Sequence, residues 1–136
     1  MPLFSRKQYK FMEKLFYDSA ALMQAVQEMR SNMQAAAEKT ADPTAKTAVT
    51  NLAAVPEVMG YADPEAWLQV VAQTWACYHI GTGVGKAMCR RYKLRESPEK
   101  TCIMNYISEG TYWHWRLEFL NKAGLFAAYK GLKLQK

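Results

Sequence analysis

Residues 66–88 read AWLQVVAQTWACYHIGTGVGKAM, and the first twenty of them contain no Asp, Glu, Lys or Arg. As a helix, twenty residues extend about 30 Å, the thickness of a bilayer's hydrocarbon core. Trp67 stands at one end and Lys86, Arg90 and Arg91 at the other, as interfacial anchors would. Gln69, Gln73, Thr74, His79 and Thr82 are polar exceptions inside the run. The pattern predicts one transmembrane helix; the alternative is a buried helix of a water-soluble protein.

Gly81, Gly83 and Gly85 precede a lysine, which raises the question of a phosphate-binding loop. A Walker A loop needs GxxxxGK followed by Ser or Thr. Here the first glycine would fall on Ile80, and Ala87 replaces the hydroxyl residue. The dinucleotide pattern GxGxxG puts its third glycine on Lys86 and also fails. Gly81 and Gly85 are instead one helical turn apart, and Cys77, Gly81, Gly85 and Cys89 form a row of small residues. Such a row lets a second helix backbone approach closely, which in lipid drives helix pairing. In a water-exposed helix each glycine costs about 1 kcal/mol against alanine.

Upstream, Leu15, Leu22, Met29 and Ala36 recur every seven residues, with Ser19, Val26 and Met33 four positions after the first three. This predicts a long amphipathic helix that packs along a seam. Its first turns interleave Arg6, Lys7, Lys10 and Lys14 with Phe4, Phe11, Leu15 and Phe16. That suits uncleaved mitochondrial targeting or simply the start of the helix; no secretory signal pattern is present. From Lys39 to Asp63 the periodicity weakens, with room for a short helix between Pro43 and Pro56 inside a connector. Asp63-Pro64-Glu65 and Ser97-Pro98-Glu99 are helix starts: a capping residue, proline at the first position and an acid on the dipole. The helix after Ser97 is rich in aromatics (Tyr106, Tyr112, Trp113, Trp115, Phe119). Gly110 is its candidate point of division, and Gly124 is where it should be interrupted.

The fold class expected is all-α: a long amphipathic N-terminal helix, a connector, one transmembrane helix with a GxxxG face, and a C-terminal amphipathic, aromatic helix. The corresponding divisions are residues 1–62, 63–96 and 97–136.

Charge is uneven along the chain. Residues 1–65 carry seven Lys/Arg against eight Asp/Glu, and residues 66–136 carry eleven against four, a balance of +7. Lys86, Arg90, Arg91, Lys93 and Arg95 lie just past the charge-free run. There they would meet anionic lipid headgroups, each contributing about 1 kcal/mol. Cys77, Cys89 and Cys102 are odd in number and lack CxxC spacing, so neither a disulfide framework nor a zinc site is expected. His79 and His114 have no second ligand at helical spacing. His79 on a membrane helix would hydrogen-bond a neighbouring helix, with a proton path as the minor alternative. No catalytic residue, metal or cofactor is expected.

The run VVAQTWACYHIGTGVGKAM resembles the transmembrane helix of subunit g of the mitochondrial F-type ATP synthase, through Gly81, Gly85 and the following Lys86. The amphipathic N-terminal region, connector and single late span match that layout as well. The resemblance implies a non-catalytic, single-pass subunit of the mitochondrial inner membrane. It would pair through its GxxxG face with a subunit e-like helix and support assembly, dimerisation and membrane curvature. Cardiolipin is the anionic lipid it implies, and no nucleic acid is expected. Residues 97–136 form an extension that typical members lack. The +7 half would favour the matrix or cytosolic side by charge bias, whereas the resemblance implies an N-terminus in the matrix.

Two other readings stand beside this one. The first is a soluble helical nucleic-acid-binding protein using the basic cluster with Tyr92 and the later tryptophans. The second is a cristae-organising membrane protein, from the repeat Gly81-Thr82-Gly83-Val84-Gly85; such proteins have two spans where this chain offers one.

Overall fold

The computed structural model describes residues 2–39, 55–79, 81 and 83–134. Among them are five α-helices: α1 (Arg6–Glu38), α2 (Pro64–Ala76), α3 (Gly83–Met88), α4 (Pro98–Asn105) and α5 (Glu109–Tyr129). A π-helical turn, Cys89–Lys93, continues α3. The expected all-α class is what the described residues show. The short helix expected between Pro43 and Pro56 lies outside them apart from its last positions, Val55 and Pro56, which are not helical. The chain divides into two compact units, one of Met1–Asp18 with Gln69–Lys136 and one of Ser19–Leu68.

The transmembrane helix expected across 66–85 is not one helix. No helix among the described residues is long and apolar enough to cross a membrane. Helix α2 ends at Ala76 after 13 residues, about 20 Å of rise. Cys77 and Tyr78 tighten its end by donating their amides to the carbonyls of Thr74 and Trp75, at 3.1 Å each. Gly83 then opens α3 at φ +57°, a left-handed geometry that interrupts a right-handed helix and suits glycine. Absence of charge had suggested an apolar cylinder, but α2 is two-faced. Trp67, Val70, Val71 and Thr74 are buried, while Gln69, Ala72, Gln73 and Ala76 face out. That i, i+3, i+4, i+7 stripe belongs to a helix lying on a core.

The larger unit is built round aromatic rings. Phe119 of α5 lies 4.8 Å from Phe16, 4.8 Å from Trp75, 5.5 Å from Tyr78 and 5.9 Å from Tyr92, measured between ring centroids. Met12, Leu15, Ala87, Met88, Tyr112, Leu120, Ala123 and Ala127 are buried around them. Gly124 does not interrupt α5, which continues to Tyr129. It is buried, and a methyl group there would overlap the Phe4 ring. The glycine is therefore a seat for Phe4, which sets where the start of α1 meets α5.

The division of the last helical region falls ahead of Gly110. Tyr106 takes a left-handed conformation (φ 55°, ψ 44°) that ends α4. Ser108 then caps α5 by accepting the Thr111 amide at 3.1 Å. Ser97 caps α4 in the same way, accepting from Lys100 N at 3.1 Å, with Pro98 at the first turn as expected.

In the smaller unit, Leu22, Val26 and Ala37 of α1 are buried, as are Val55, Tyr61 and Trp67. The predicted seam holds at Leu22 and Val26 but not at Ala36, which is exposed. Val58 and Tyr61 exchange backbone hydrogen bonds of 3.2 and 2.9 Å across Met59 and Gly60. Both central residues have positive φ, +54° and +83°, the mark of a type I′ turn. Arg30 grips the Glu65 carboxylate with Nη2 and with Nε, the latter at 3.3 Å. Both side chains are partly exposed, so this pair orients the start of α2 more than it stabilises the unit.

Candidate functional site

Helix α3 and its π-helical turn carry most of the residues that the sequence singles out. The turn closes with Leu94 N donating to Cys89 O at 3.2 Å, an i→i+5 bond. Single π turns of this kind re-aim side chains within a helix. Here the turn sends Tyr92 inward and spreads the neighbouring cations around it.

Those cations are largely engaged within the larger unit. Arg90 Nη1 pairs with Glu96 Oε2 at 2.9 Å. Arg91 donates from Nε to the Tyr112 hydroxyl and from Nη1 to the Glu96 carbonyl, both at 3.1 Å. Arg95 Nη2 donates to the Tyr17 carbonyl at 2.9 Å. The guanidinium carbons of Arg91 and Arg95 lie 5.1 and 5.5 Å from the centroid of the Tyr17 ring. Lys93 Nζ rests 4.6 Å from the centroid of Trp75, within cation–π range. Lys86 is exposed. The expectation that Lys86, Arg90, Arg91, Lys93 and Arg95 form one headgroup patch thus meets a different arrangement. The three arginines clamp the π turn to α1, to α5 and to the segment leading into α4.

The row Cys77, Gly81, Gly85 and Cys89 does not lie on one helix. Cys77 and Gly81 are exposed in the link between α2 and α3, Gly85 is buried in α3, and Cys89 is half-buried in the π turn. The Gly81 amide donates to Nδ1 of His79 at 3.1 Å, so that imidazole supports the link. His114 is exposed on α5. Among the described residues no three or more His, Cys, Asp or Glu side chains gather to hold a metal ion.

Beside the π turn lies a polar network that sequence reading missed. Glu13 of α1 accepts from Arg116 Nε at 2.9 Å and from the Tyr92 hydroxyl at 2.8 Å through Oε2, and from Arg116 Nη2 at 3.3 Å through Oε1. Burial works against the charged carboxylate, but the hydrogen bonds and charge of Arg116, with Tyr92 and Arg91, outweigh it and hold Glu13 below its ordinary pKa. Burial and the adjacent Glu13 push the Tyr92 hydroxyl well up. Burial disfavours the Arg116 cation, yet the Glu13 bonds more than compensate and raise it. The network fixes charges in place and leaves neither Glu13 nor Arg116 a proton to exchange near neutral pH. One signal of it was present. Glu13 is four residues after Tyr9 and three before Phe16, and Arg116 is four after Tyr112 and three before Phe119. Opposite charges thus occupy the same core register on two helices.

No family model matches the chain, and no curated protein or solved structure shows significant similarity to it.

Proposed function

We propose that this chain is a non-catalytic helical subunit that acts by docking within a larger assembly. The observation that carries this reading is the apolar surface left uncovered at the corner between α4 and α5 and at the far end of α5. Ile103 is 71% exposed, Tyr106 96% and Tyr129 94%, while the polar groups most suited to chemistry are tied into the fold. Large apolar side chains held at the surface of an ordered helical unit mark contact surfaces.

The assembly this reading names is the membrane sector of the mitochondrial ATP synthase, with a subunit e-like helix and anionic lipids such as cardiolipin as neighbours. Its role there would be to support complex assembly, dimerisation and curvature of the inner membrane. Support comes from Gly81, Gly85 and Lys86, from the charge-free run 66–85, and from the basic amphipathic start of α1. A single span would require α2, the link and α3 to join into one helix. With α2 and α3 separate, the chain would attach instead through surfaces of individual helices.

Affinity purification of the tagged chain from mitochondria, with identification of its neighbours, tests the assembly. Co-purification with ATP synthase membrane subunits is the expected result, and recovery without any of them would overturn it. Carbonate extraction tests the mode of attachment. Retention in the pellet supports a span, and release together with intact co-purification supports peripheral docking.

A further inference from the structure

The unit of Met1–Asp18 with Gln69–Lys136 holds fifteen Lys/Arg against six Asp/Glu, whereas Ser19–Leu68 holds three against six. Arg90, Arg91 and Arg95 are held within the fold, so cations open to a partner are to be sought elsewhere. Arg6, Lys7, Lys10 and Lys14 fall within about a 100° arc of α1 at 3.6 residues per turn. All four are exposed. Lys14 pairs with Asp18 at 2.7 Å. The side chains of Arg6, Lys7 and Lys10 make no ion pair or hydrogen bond among the described residues.

The segment leading into this stripe is held rigidly. Ser5 and Gln8 form a reciprocal capping box, with Ser5 N donating to Gln8 Oε1 at 2.8 Å and Gln8 N to Ser5 Oγ at 3.2 Å. The Tyr9 hydroxyl accepts the amides of Leu3 at 2.8 Å and Phe4 at 3.3 Å, and donates to Asn121 Oδ1 of α5. Phe4 packs against Gly124. Its neighbour Leu3 is left 54% exposed, three residues ahead of Arg6.

We propose that this face of α1 binds the surface of an anionic lipid bilayer, Arg6, Lys7 and Lys10 meeting phosphate headgroups while Leu3 enters the interface. Cations flanked by an anchored apolar side chain fit a headgroup layer over an acyl boundary. Nucleic acid is the other polyanion of suitable charge, but stacking on bases needs exposed rings beside the cations. Here Tyr9 and Phe16 are buried, Phe11 is half-buried and Phe4 is seated on Gly124, so the large apolar side chain most exposed beside the cations is the aliphatic Leu3. The surface is distinct from the π-turn cluster, and the inference does not rest on membership of any particular complex.

The test is flotation of the purified full chain with vesicles of phosphatidylcholine alone and of phosphatidylcholine mixed equally with phosphatidylglycerol. The chain should float with the acidic vesicles, weakly with the neutral ones, and less as salt rises. At about fivefold per cation, the triple variant Arg6→Gln, Lys7→Gln, Lys10→Gln should lose on the order of a hundredfold in partitioning. Leu3→Ser should lose several-fold with little change in salt dependence. Lys100→Gln with Lys133→Gln, cations away from α1, should bind as the parent does. Circular dichroism and thermal unfolding verify that these surface variants keep the fold. Equal flotation of the triple variant and the parent overturns the proposal, and so does equal binding to neutral vesicles. Salt-sensitive binding of a single-stranded RNA, lost in the triple variant and unaccompanied by flotation, reassigns the stripe to nucleic acid and also overturns it.

Discussion

Glu13 and Arg116 are separated by 103 positions, yet the carboxylate of one accepts the guanidinium of the other at 2.9 Å, and Tyr92 donates to the same oxygen. Their side chains are only 18% and 17% exposed. Each sits in the core register of its helix, so the pair joins α1 to α5 beside the π turn. Breaking one member strands the other's charge in a poorly hydrated site. Glu13→Ala or Arg116→Ala should each destabilise the protein by about 2–3 kcal/mol, somewhat below the usual cost of a fully buried pair. Glu13→Met with Arg116→Met should recover most of that loss. Urea unfolding of the three variants measures it.

Acid should weaken the same tie. The Glu13 carboxyl is held below its ordinary value of 4.5 in the native state by Arg116 and Tyr92, against the opposing effect of burial. The unfolded chain therefore binds more protons as pH falls through that range, and stability declines with it. The contribution is fully present above the unfolded value of about 4.5 and is lost as pH falls through the native one. Urea midpoints between neutral pH and pH about 3 should fall more steeply for the parent than for Glu13→Gln. Parallel profiles would remove Glu13 as the source.

Phe119 meets four aromatic rings and is fully buried. Truncating it removes ring contacts and leaves a cavity that helices on several sides cannot close. Phe119→Ala should cost about 3–5 kcal/mol, read as a shift in the denaturation midpoint. Phe119→Leu should cost distinctly less.

Gly124 offers a test with an unusual sign. In an open helix, glycine to alanine gains about 1 kcal/mol. Here the new methyl meets the Phe4 ring, so Gly124→Ala should instead lose about 1–2 kcal/mol through displaced packing. In the background of Phe4→Ala the same change should become favourable. A double-mutant cycle by thermal unfolding reads the coupling directly.

Gly83 stands at φ +57° with open space where a side chain would project. Gly83→Ala should therefore cost about 1–2 kcal/mol through backbone strain alone. If α2 and α3 joined into one right-handed helix, alanine would be preferred at this position. Stability of Gly83→Ala in detergent-solubilised membranes against buffer distinguishes the interrupted arrangement from a continuous span.

Local signals were legible in the residues themselves. Ser97-Pro98 and Asp63-Pro64 mark true helix starts, because a proline at the first position acts within one turn and needs nothing distant; the side-chain cap itself is seen at Ser97. The seam through Leu15, Leu22 and Val26 is buried for a similar reason: its period belongs to one helix. Lack of charge in the run 66–85 does not distinguish a membrane span from a two-faced helix whose outer side is glutamine and alanine. What ends that helix is the turn at Cys77 and Tyr78 with the left-handed Gly83 beyond it, beside the core that Val70, Val71 and Thr74 join. The core register of Glu13 and Arg116 was legible, but their pairing, and the role of Gly124, were decided by tertiary structure. A charge inside an apolar stripe has no sign of its function until an opposite charge arrives from another helix. A helical glycine likewise reads as a break until a ring, here Phe4, comes to occupy the space its missing side chain leaves.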